Sequence, residues 1–220
     1  MAQCGTGIKA AFAVVLIWDM RDASPTRVQG WQQMQHGMTE PKDTEIARLR
    51  GRVAQLEARC AELDRLAHHD SLVPLPNRRG FLRALELGIA RVERYGEPSA
   101  VLFVDLDGLK LVNDRHGHET GDRALVHVAA MLVSGVRSTD CVGRLGGDEF
   151  GILLDHADEQ SAAETAARLV EMVAGERFEI GAATVPLSVA IGMTMIEAGD
   201  TPACVLARAD QAMYRGKVAA

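Results

Sequence analysis

The sequence predicts an α+β fold in which a βαββαβ core follows an N-terminal coiled-coil helix. Two observations indicate this fold. Apolar residues recur at alternating spacings of three and four over residues 46–67, which is typical of a coiled-coil helix. Beyond residue 70, short apolar runs alternate with amphipathic stretches, and two of these runs are joined directly by RLGGDEF at residues 144–150.

The composition limits the classes of function. The chain has 220 residues, of which 47% are hydrophobic and 25% are charged, and this is enough for one ordinary domain with an extension. Its net charge of −6 provides no basic field for nucleic acid or an anionic membrane, so we expect neither partner. Four widely spaced cysteines, and an apolar run at residues 8–18 too short to span a bilayer, favour a cytoplasmic location.

Three segments are predicted along the chain. Residues 1–42 form a poorly ordered N-terminal segment, because residues 19–42 are polar, contain Pro and Gly, and show no sustained period. Residues 43–69 form the coiled-coil helix, and residues 70–220 form the α+β domain. The helix carries apolar residues at Ile46, Leu49, Val53, Leu56, Cys60, Leu63 and Ala67.

The periodic helix has two interpretations. It forms a homodimer through residues 43–67, or it lies as a single amphipathic helix on its own domain. In the first case it either docks a sensory partner protein or holds a constitutive dimer.

The elements of the domain follow from the same periodicities. Helices are predicted over residues 81–95, 120–136, 160–173 and 202–217. Strands are predicted over residues 100–106, 141–145, 150–154 and 185–195. We expect the strands to form one sheet with the helices on one of its faces.

RLGGDEF predicts both a turn and a site. Gly146 and Gly147 can supply the positive φ angles of a tight hairpin, and they let a ligand approach the backbone. Asp148 and Glu149 repel each other unless a cation offsets their charges. Asp105 ends the strand at residues 100–106, and if that strand pairs beside the hairpin, the carboxylates converge. Such oxygen ligands suit Mg²⁺ or Mn²⁺, which favour phosphate substrates.

Polar residues downstream of that strand are candidates for contacts with a nucleotide. Lys110 follows the strand closely, and Lys217 can reach from the last helix toward phosphate oxygens. Asn113 and Asp122 can read the edge of a base. A carboxylate accepts from both N1–H and the exocyclic amine of guanine, a pair of donors that adenine lacks.

Four stretches together carry a resemblance to a known family. They are DSLVPLPNRRGF (70–81), DLDGLKLVNDRHGHETGD (105–122), RSTDCVGRLGGDEF (137–150) and ADQAMYRGK (209–217). From residue 70 to residue 217 the chain resembles the GGDEF family of diguanylate cyclases, whose domain has a ferredoxin-like, nucleotide-cyclase-like core. The resemblance implies that two GTP molecules, one on each subunit of an antiparallel active dimer, are joined into cyclic di-GMP with release of two pyrophosphates.

The resemblance also implies a role for individual residues. The metal ligands would be Asp105, the carbonyl of Leu106, Asp148 and Glu149, with two Mg²⁺ or Mn²⁺ ions per GTP site. Catalytic roles would fall to Asp148, Glu149 and Lys110. GTP would be bound by Asn113, His118, Asp122, Gly146, Gly147 and Lys217.

A second site is predicted at RSTD, residues 137–140. Arg137 can contact guanine or phosphate in a bidentate manner, and Asp140 can accept from a guanine edge. In the family, R-x-x-D at this offset is the product-inhibition site for cyclic di-GMP, and Arg168 is expected to supply a cross-linking contact from a neighbouring subunit. The alternative is a surface Arg–Asp pair that contributes little to stability.

Other functions fit the sequence less well. VLFVDLDG resembles the nucleophile motif of haloacid-dehalogenase-type phosphatases, but Leu109 stands where that family has Thr. An EF-hand is excluded because Lys110 occupies its glycine position. A GGDEF domain that only binds cyclic di-GMP is the remaining alternative, and the retained acids at 148 and 149 argue against it.

Overall fold

The protein is described by a computed structural model over residues 25–180 and 183–219. Its contacts divide it into two units, with the boundary between residues 61 and 62. The first unit contains most of helix α1, which spans Pro25–His68. The second unit contains all of the remaining helices and strands.

Helix α1 begins earlier than the sequence predicts. Residues 25–42 are helical, so the linker predicted over residues 19–42 is corrected for that part, while residues 1–24 lie outside the described residues. Pro25 suits a first helical turn, and the Gln and Met residues that follow have good helix propensity. Once the periodic segment has nucleated a helix, ordinary residues extend it at low cost, although Gly30, Gly37 and Pro41 oppose the extension by about 1 to 3 kcal/mol each.

The second unit is an α+β domain, as predicted, and its main sheet has four antiparallel strands. The sheet has the order β2-β3-β1-β6, and β4 pairs separately with β5. The elements are α2 (Arg78–Tyr95), β1 (Ala100–Leu106), α3 (Leu109–His116), α4 (His118–Ser134), β2 (Cys141–Gly146), β3 (Glu149–Leu154), α5 (Glu159–Gly175), β4 (Arg177–Ile180), β5 (Ala183–Pro186), β6 (Val189–Met195) and α6 (Pro202–Ala219).

Three elements differ from the sequence prediction. The strand predicted over residues 185–195 is divided into β5 and β6, because Pro186 has no N–H for the ladder and Leu187 turns into the core. The short helix α3 and the strand β4 were not predicted. Helix α3 starts after Gly108, whose φ of 71° turns the chain sharply at the end of β1.

The helices cover both faces of the sheet, so the prediction of helices on one face is wrong. One core joins β1 residues such as Leu102 and Val104 to helices α4 and α5. The other core joins Val101 and Phe103 to helices α2 and α6. Strand β1 is therefore buried on both sides, which explains its nearly continuous apolar sequence.

Two facing glycines make room for the largest side chain of the second core. Gly143 on β2 lies opposite Gly151 on β3, and the fully buried ring of Phe81 packs on both. A Cβ atom added at residue 143 or 151 would lie 2.8 or 2.7 Å from atoms of Phe81, closer than packing allows. The ring thereby fixes α2 against the hairpin that carries the two acids.

Replacement of Phe81 by Ala is expected to destabilise the domain strongly. The change leaves a cavity between α2 and the two glycines. Replacing a buried Phe by Ala typically lowers the free energy of unfolding by about 3–5 kcal/mol. Urea unfolding followed by circular dichroism measures the change in free energy. Leu87→Ala on the same helix is the matched control, because Leu87 is 59% exposed and is expected to cost about 0.5 kcal/mol or less. Equal losses in the two variants would contradict this packing.

Candidate active site

The β2–β3 hairpin places the two acids at one end of the sheet. Gly146 pairs with Glu149, so Gly147 and Asp148 form a two-residue turn. Of the two glycines only Gly147 has a positive φ, of 29°, so the sequence prediction is corrected for Gly146. Gly146 instead ends β2 beyond a register irregularity that begins at Arg144.

Two carboxylates lie directly opposite each other on neighbouring strands. Asp105 at the end of β1 pairs in register with Glu149 at the start of β3, so their side chains share one face of the sheet. The backbone N–H of Leu106 donates to the Asp148 carbonyl at 3.0 Å, which ties the turn to the end of β1. The structure thus brings together the acids that the sequence predicts to converge.

The pKa of Glu149 reflects the negative charge of the neighbouring acids. Burial raises the pKa of the Glu149 carboxyl, and the charges of Asp105 and Asp148 raise it further. The guanidinium of Arg78 lowers the pKa but does not offset these effects. The positive charge near Glu149 is therefore smaller than the negative charge around it.

Lys217 on α6 neutralises part of this charge. Its ammonium group bonds to Asp105 Oδ2 and lies 2.8 Å from Asp107 Oδ1, while the other oxygen of Asp107, Oδ2, accepts from Ser188 Oγ at 3.1 Å. Burial would lower the pKa of Lys217, but the hydrogen bonds to both aspartates outweigh burial and raise it. The sequence predicts a phosphate contact for Lys217, whereas in the structure this lysine contacts the two aspartates.

The donor set fits a divalent cation. Asp105, Asp148 and Glu149 supply hard oxygen ligands at one end of the sheet, and the raised pKa of Glu149 marks a field that a cation would relieve. Within residues 25–180 and 183–219, no group of three His, Cys, Asp or Glu side chains is already arranged to hold a metal ion. Asp105 is instead engaged by Lys217.

Helices α3 and α4 carry the residues predicted to contact the nucleotide. Lys110, His118 and Asp122 are exposed. Asn113 is half-buried, and its Oδ1 is buried with no hydrogen-bond partner among the described residues. This oxygen lies so close to Gly121 that a Cβ atom there would come within 1.9 Å of it. An orphaned acceptor beside Asp122 is suited to a ligand with N–H donors.

Arg144 clamps the turn, a role that the sequence did not reveal. Its guanidinium donates to the Gly147 carbonyl at 2.8 and 3.1 Å and to Asp70 Oδ1 at 3.0 Å. Asp70 also accepts from the backbone N–H groups of Leu72 and Val73. Burial favours the neutral acid, but these hydrogen bonds outweigh it and hold the pKa of Asp70 below its ordinary value. The turn is thus held by a charged pair in which both partners are largely shielded from solvent.

A cleft beside the turn carries two further basic residues that were not predicted. Arg78 and Arg79 lie at the start of α2, after the N-cap Asn77. Their adjacency in PNRRGF was the signal that could have found them. The cleft has a volume of about 490 Å³ and is lined by Asp70, Asn77, Arg78, Arg79, Arg144, Leu145, Gly146 and Gly147.

The residues of the RSTD site lie around a second cavity. Arg137, Asp140 and Arg168 line a space of about 210 Å³. The Asp140 carboxylate accepts from the backbone N–H groups of Arg137 at 2.9 Å and Asp155 at 3.1 Å. Arg168 donates to the Gly135 carbonyl at 2.7 Å, so it lies beside Arg137 of its own chain. The side chain of Arg137 itself is exposed.

Comparison with known proteins decides the family. The family described as "Diguanylate cyclase, GGDEF domain" matches residues 67–220. The chain belongs to the GGDEF family. The resemblance stated from the four motifs is therefore confirmed, and the candidate site described above lies within the matched residues.

Proteins similar to this chain include bacterial diguanylate cyclases. The chain is 42% identical over 169 residues to diguanylate cyclase TpbB of Pseudomonas aeruginosa, a match that covers 74% of this chain and 38% of TpbB. A structure of the GGDEF domain alone of that protein is similar at 39% identity with a TM-score of 0.66, and the match covers 70% of this chain and 90% of the other.

The coiled coil and GGDEF domain of DgcB from Caulobacter crescentus, in complex with c-di-GMP, is similar in fold. The TM-score is 0.76 at 24% identity, and the match covers 80% of this chain and 94% of that chain.

In the part of the chain that the structure describes, no helix combines the length and the apolar character needed to cross a bilayer.

The raised pKa of Glu149 predicts a pH-dependent effect of Glu149→Gln. The pKa of Glu149 is higher in the folded GGDEF domain than in the unfolded chain, where it is about 4.3. The stability that the protonated carboxyl contributes is therefore fully present below this unfolded value, and it is lost as the pH rises through the folded value. The variant should therefore be more stable than the wild type at neutral pH without metal, and this gain should vanish near pH 4.

Urea unfolding from pH 4 to pH 7 measures this difference. Glu179→Gln on β4 is the control, because Glu179 is exposed and away from the hairpin. A variant that is equally or less stable at neutral pH would show that the repulsion at residue 149 is negligible.

Proposed function

We propose that the chain is a diguanylate cyclase, which joins two GTP molecules into cyclic di-GMP and releases two pyrophosphates. The observation that carries the proposal is the opposition of Asp105 and Glu149 beside the Gly147 turn. Such an arrangement suits a divalent cation and a phosphate ligand. Membership of the GGDEF family and the similarity to TpbB support the same activity.

The proposed metal ligands are Asp105, the carbonyl of Leu106, Asp148 and Glu149. Two Mg²⁺ or Mn²⁺ ions per GTP site are proposed, and when bound they would neutralise phosphate charge and favour attack at phosphorus. Lys217 bonds to Asp105 in the structure, and we propose that it turns to a phosphate oxygen when that carboxylate has another partner.

The nucleotide is proposed to lie between the turn and helices α3 and α4. Asn113 and Asp122 would bind the guanine edge, with His118 close to them on α4. Lys110 and Lys217 would contact phosphate oxygens, and the backbone at Gly146 and Gly147 would pass along the phosphates.

The chemistry requires a second copy of the chain. The ribose 3′-OH of one GTP attacks the α-phosphate of the facing GTP, and a P–O bond to pyrophosphate breaks as the new one forms. The proton of the hydroxyl passes to Asp148 or to water. Because each chain holds one GTP, two chains must face each other in the active dimer.

Product binding is proposed at the RSTD site. Arg137, Asp140 and Arg168 line one cavity, and two of its groups are charged donors suited to guanine or phosphate. The sequence led us to expect Arg168 from a neighbouring subunit. In the structure it lines the cavity of its own chain, so a single chain could supply all three contacts.

The division of the chain is also proposed. Residues 43–69 would hold the homodimer, and residues 70–220 would carry the cyclase activity. A sensory partner protein could act through the same helix.

The first test is conversion of GTP. Incubation with Mg²⁺ or Mn²⁺ should yield cyclic di-GMP and pyrophosphate, separated by chromatography. Asp148→Asn should lower the initial rate by more than about 100-fold, because even changes to groups behind metal ligands cost about 10- to 100-fold. Asp114→Asn is the matched control, since Asp114 is exposed on α3. Absence of the product from a folded, metal-loaded dimer would refute the proposed activity.

The second test concerns the product site. Arg137→Ala should raise the inhibition constant of cyclic di-GMP about tenfold or more, since a charged hydrogen bond is worth about 1.5–3 kcal/mol. The initial rate should stay close to that of the wild type, because the substitution lies on the exposed rim of the second cavity. Arg177→Ala, an exposed arginine on β4, is the control. Unchanged inhibition in Arg137→Ala would remove the assignment of the RSTD site.

A further inference from the structure

Asp107 lies just beyond the end of β1 and belongs neither to the proposed metal ligands nor to the proposed nucleotide contacts. Its backbone N–H donates to the Ser188 carbonyl at 2.9 Å, which continues the pairing of β1 with β6 by one position. Its Oδ2 accepts from the Ser188 hydroxyl at 3.1 Å, and its Oδ1 lies 2.8 Å from the ammonium group of Lys217. Ser188 therefore holds Asp107 through both backbone and side chain, and the remaining carboxylate oxygen faces Lys217.

Lys217 reaches this carboxylate because α6 packs closely on the sheet. A Cβ atom added at Gly192 of β6 would lie 2.1 Å from the Ala209 carbonyl oxygen and 2.2 Å from the Met213 backbone nitrogen. Met213 is buried in the core that α6 shares with β1. Lys217 follows Met213 by four residues, so it lies on the same face of the helix, one turn closer to its end. The packing at Gly192 thus fixes where the lysine side chain begins.

The two aspartates that contact Lys217 have different neighbours. Asp105 pairs in register with Glu149 and is one of the proposed metal ligands. Asp107 is bonded instead to Ser188, a neutral residue. Of these two aspartates, only Asp105 is therefore expected to exchange Lys217 for another partner when the site is occupied.

The loss of Asp105 as a partner would leave Lys217 with Asp107. A lysine side chain near a helix end has large rotamer entropy, and without a partner it would spend much of its time in solvent. A bond to Asp107 limits this freedom. The three N–H donors of the ammonium group allow a second, simultaneous bond to a phosphate oxygen. Asp107 can thus keep the cation beside the site while Asp105 changes its partner.

The charge of Asp107 also has an effect of the opposite sign. A carboxylate near a phosphate group repels it, and removal of the charge would relieve this repulsion. The pair of Asp107 with Lys217 is neutral as a whole, so the repulsion is small while the lysine stays bound. Without Lys217 only the repulsion remains. The sign of the contribution of Asp107 to nucleotide binding therefore depends on the presence of Lys217.

We infer that Asp107, oriented by Ser188, is a positioning residue that keeps Lys217 at the site and so strengthens the binding of nucleotide phosphate groups. The inference rests on the proposed function, from which it takes the phosphate contact of Lys217. It adds two residues, Asp107 and Ser188, that act through the lysine.

A double-mutant cycle on the full chain tests the inference. The probe is the GTP analogue with a methylene group between the α- and β-phosphorus atoms, which cannot release pyrophosphate, and isothermal titration calorimetry with Mg²⁺ measures its affinity. Lys217→Met should weaken binding about tenfold or more, because a charged hydrogen bond is lost. Asp107→Asn should weaken it about threefold to tenfold in the chain that retains Lys217. In the Lys217→Met chain, the same substitution should weaken it less than about twofold, or tighten it.

The matched control is Asp114→Asn, which removes one exposed negative charge from α3 and should change the affinity less than about twofold. Equal weakening by Asp107→Asn with and without Lys217 would show that Asp107 acts on its own, and it would overturn the inference. Unchanged or tighter binding by Asp107→Asn in the chain that retains Lys217 would overturn it as well, because the charge would then act only by repulsion.

Substitutions at Ser188 test the orientation of the carboxylate by a second route. Ser188 is exposed, so its replacement is not expected to unfold the domain. Ser188→Ala should weaken binding of the analogue about twofold to threefold, whereas Ser188→Thr keeps the hydroxyl donor and should bind like the wild type. Equal affinities of all three chains would contradict the orienting role of Ser188.

The analogue separates this inference from the proposed activity, because it reports binding without turnover. A chain that follows the expected cycle but forms no cyclic di-GMP from GTP would count against the proposed cyclase and leave the positioning role of Asp107 supported. An active cyclase in which Asp107→Asn has the same effect with and without Lys217 would count against the positioning role alone.

Discussion

The repulsion between Asp105 and Glu149 is the constraint on which the site depends. Their opposition follows from the register of β1 and β3, and that register is fixed because β1 is buried on both faces. A slip by one residue would exchange every apolar side chain between the two cores. The hydrophobic cores therefore hold two carboxylates in a position that their own electrostatics oppose, and Lys217 and Arg78 offset only part of the repulsion.

The turn beside the acids has its own support. Arg144 holds the Gly147 carbonyl with one side of its guanidinium and Asp70 with the other. Phe81 fixes α2 against the same hairpin through two facing glycines. A charged clamp and a packed ring thus constrain one short turn from different directions, which keeps the ligand groups preorganised.

Much of this arrangement was readable from the sequence. Strand β1 was predicted with the same bounds, since an apolar run between turn residues has few alternatives, and the α+β class followed from the order of elements. The second face of the sheet was missed because a strand buried on both sides shows no alternation. The bond from Lys217 to Asp105 joins residues 112 positions apart, and no local pattern encodes it. The clamp by Arg144 was hidden for the same reason.

Gly121 has no side chain that could bind a ligand, yet its identity is constrained by the neighbouring Asn113. The Asn113 oxygen occupies the space that any Cβ atom at residue 121 would need, so the identity of residue 121 is tied to the rotamer of its neighbour. The oxygen is buried and has no hydrogen-bond partner among the described residues. A ligand with a suitably placed N–H group removes that penalty, and one with an acceptor there adds to it. The domain would then discriminate between bases chiefly because the wrong base leaves the Asn113 oxygen without a hydrogen bond. A methyl group at residue 121 would displace this oxygen and so reduce the discrimination without contacting the ligand.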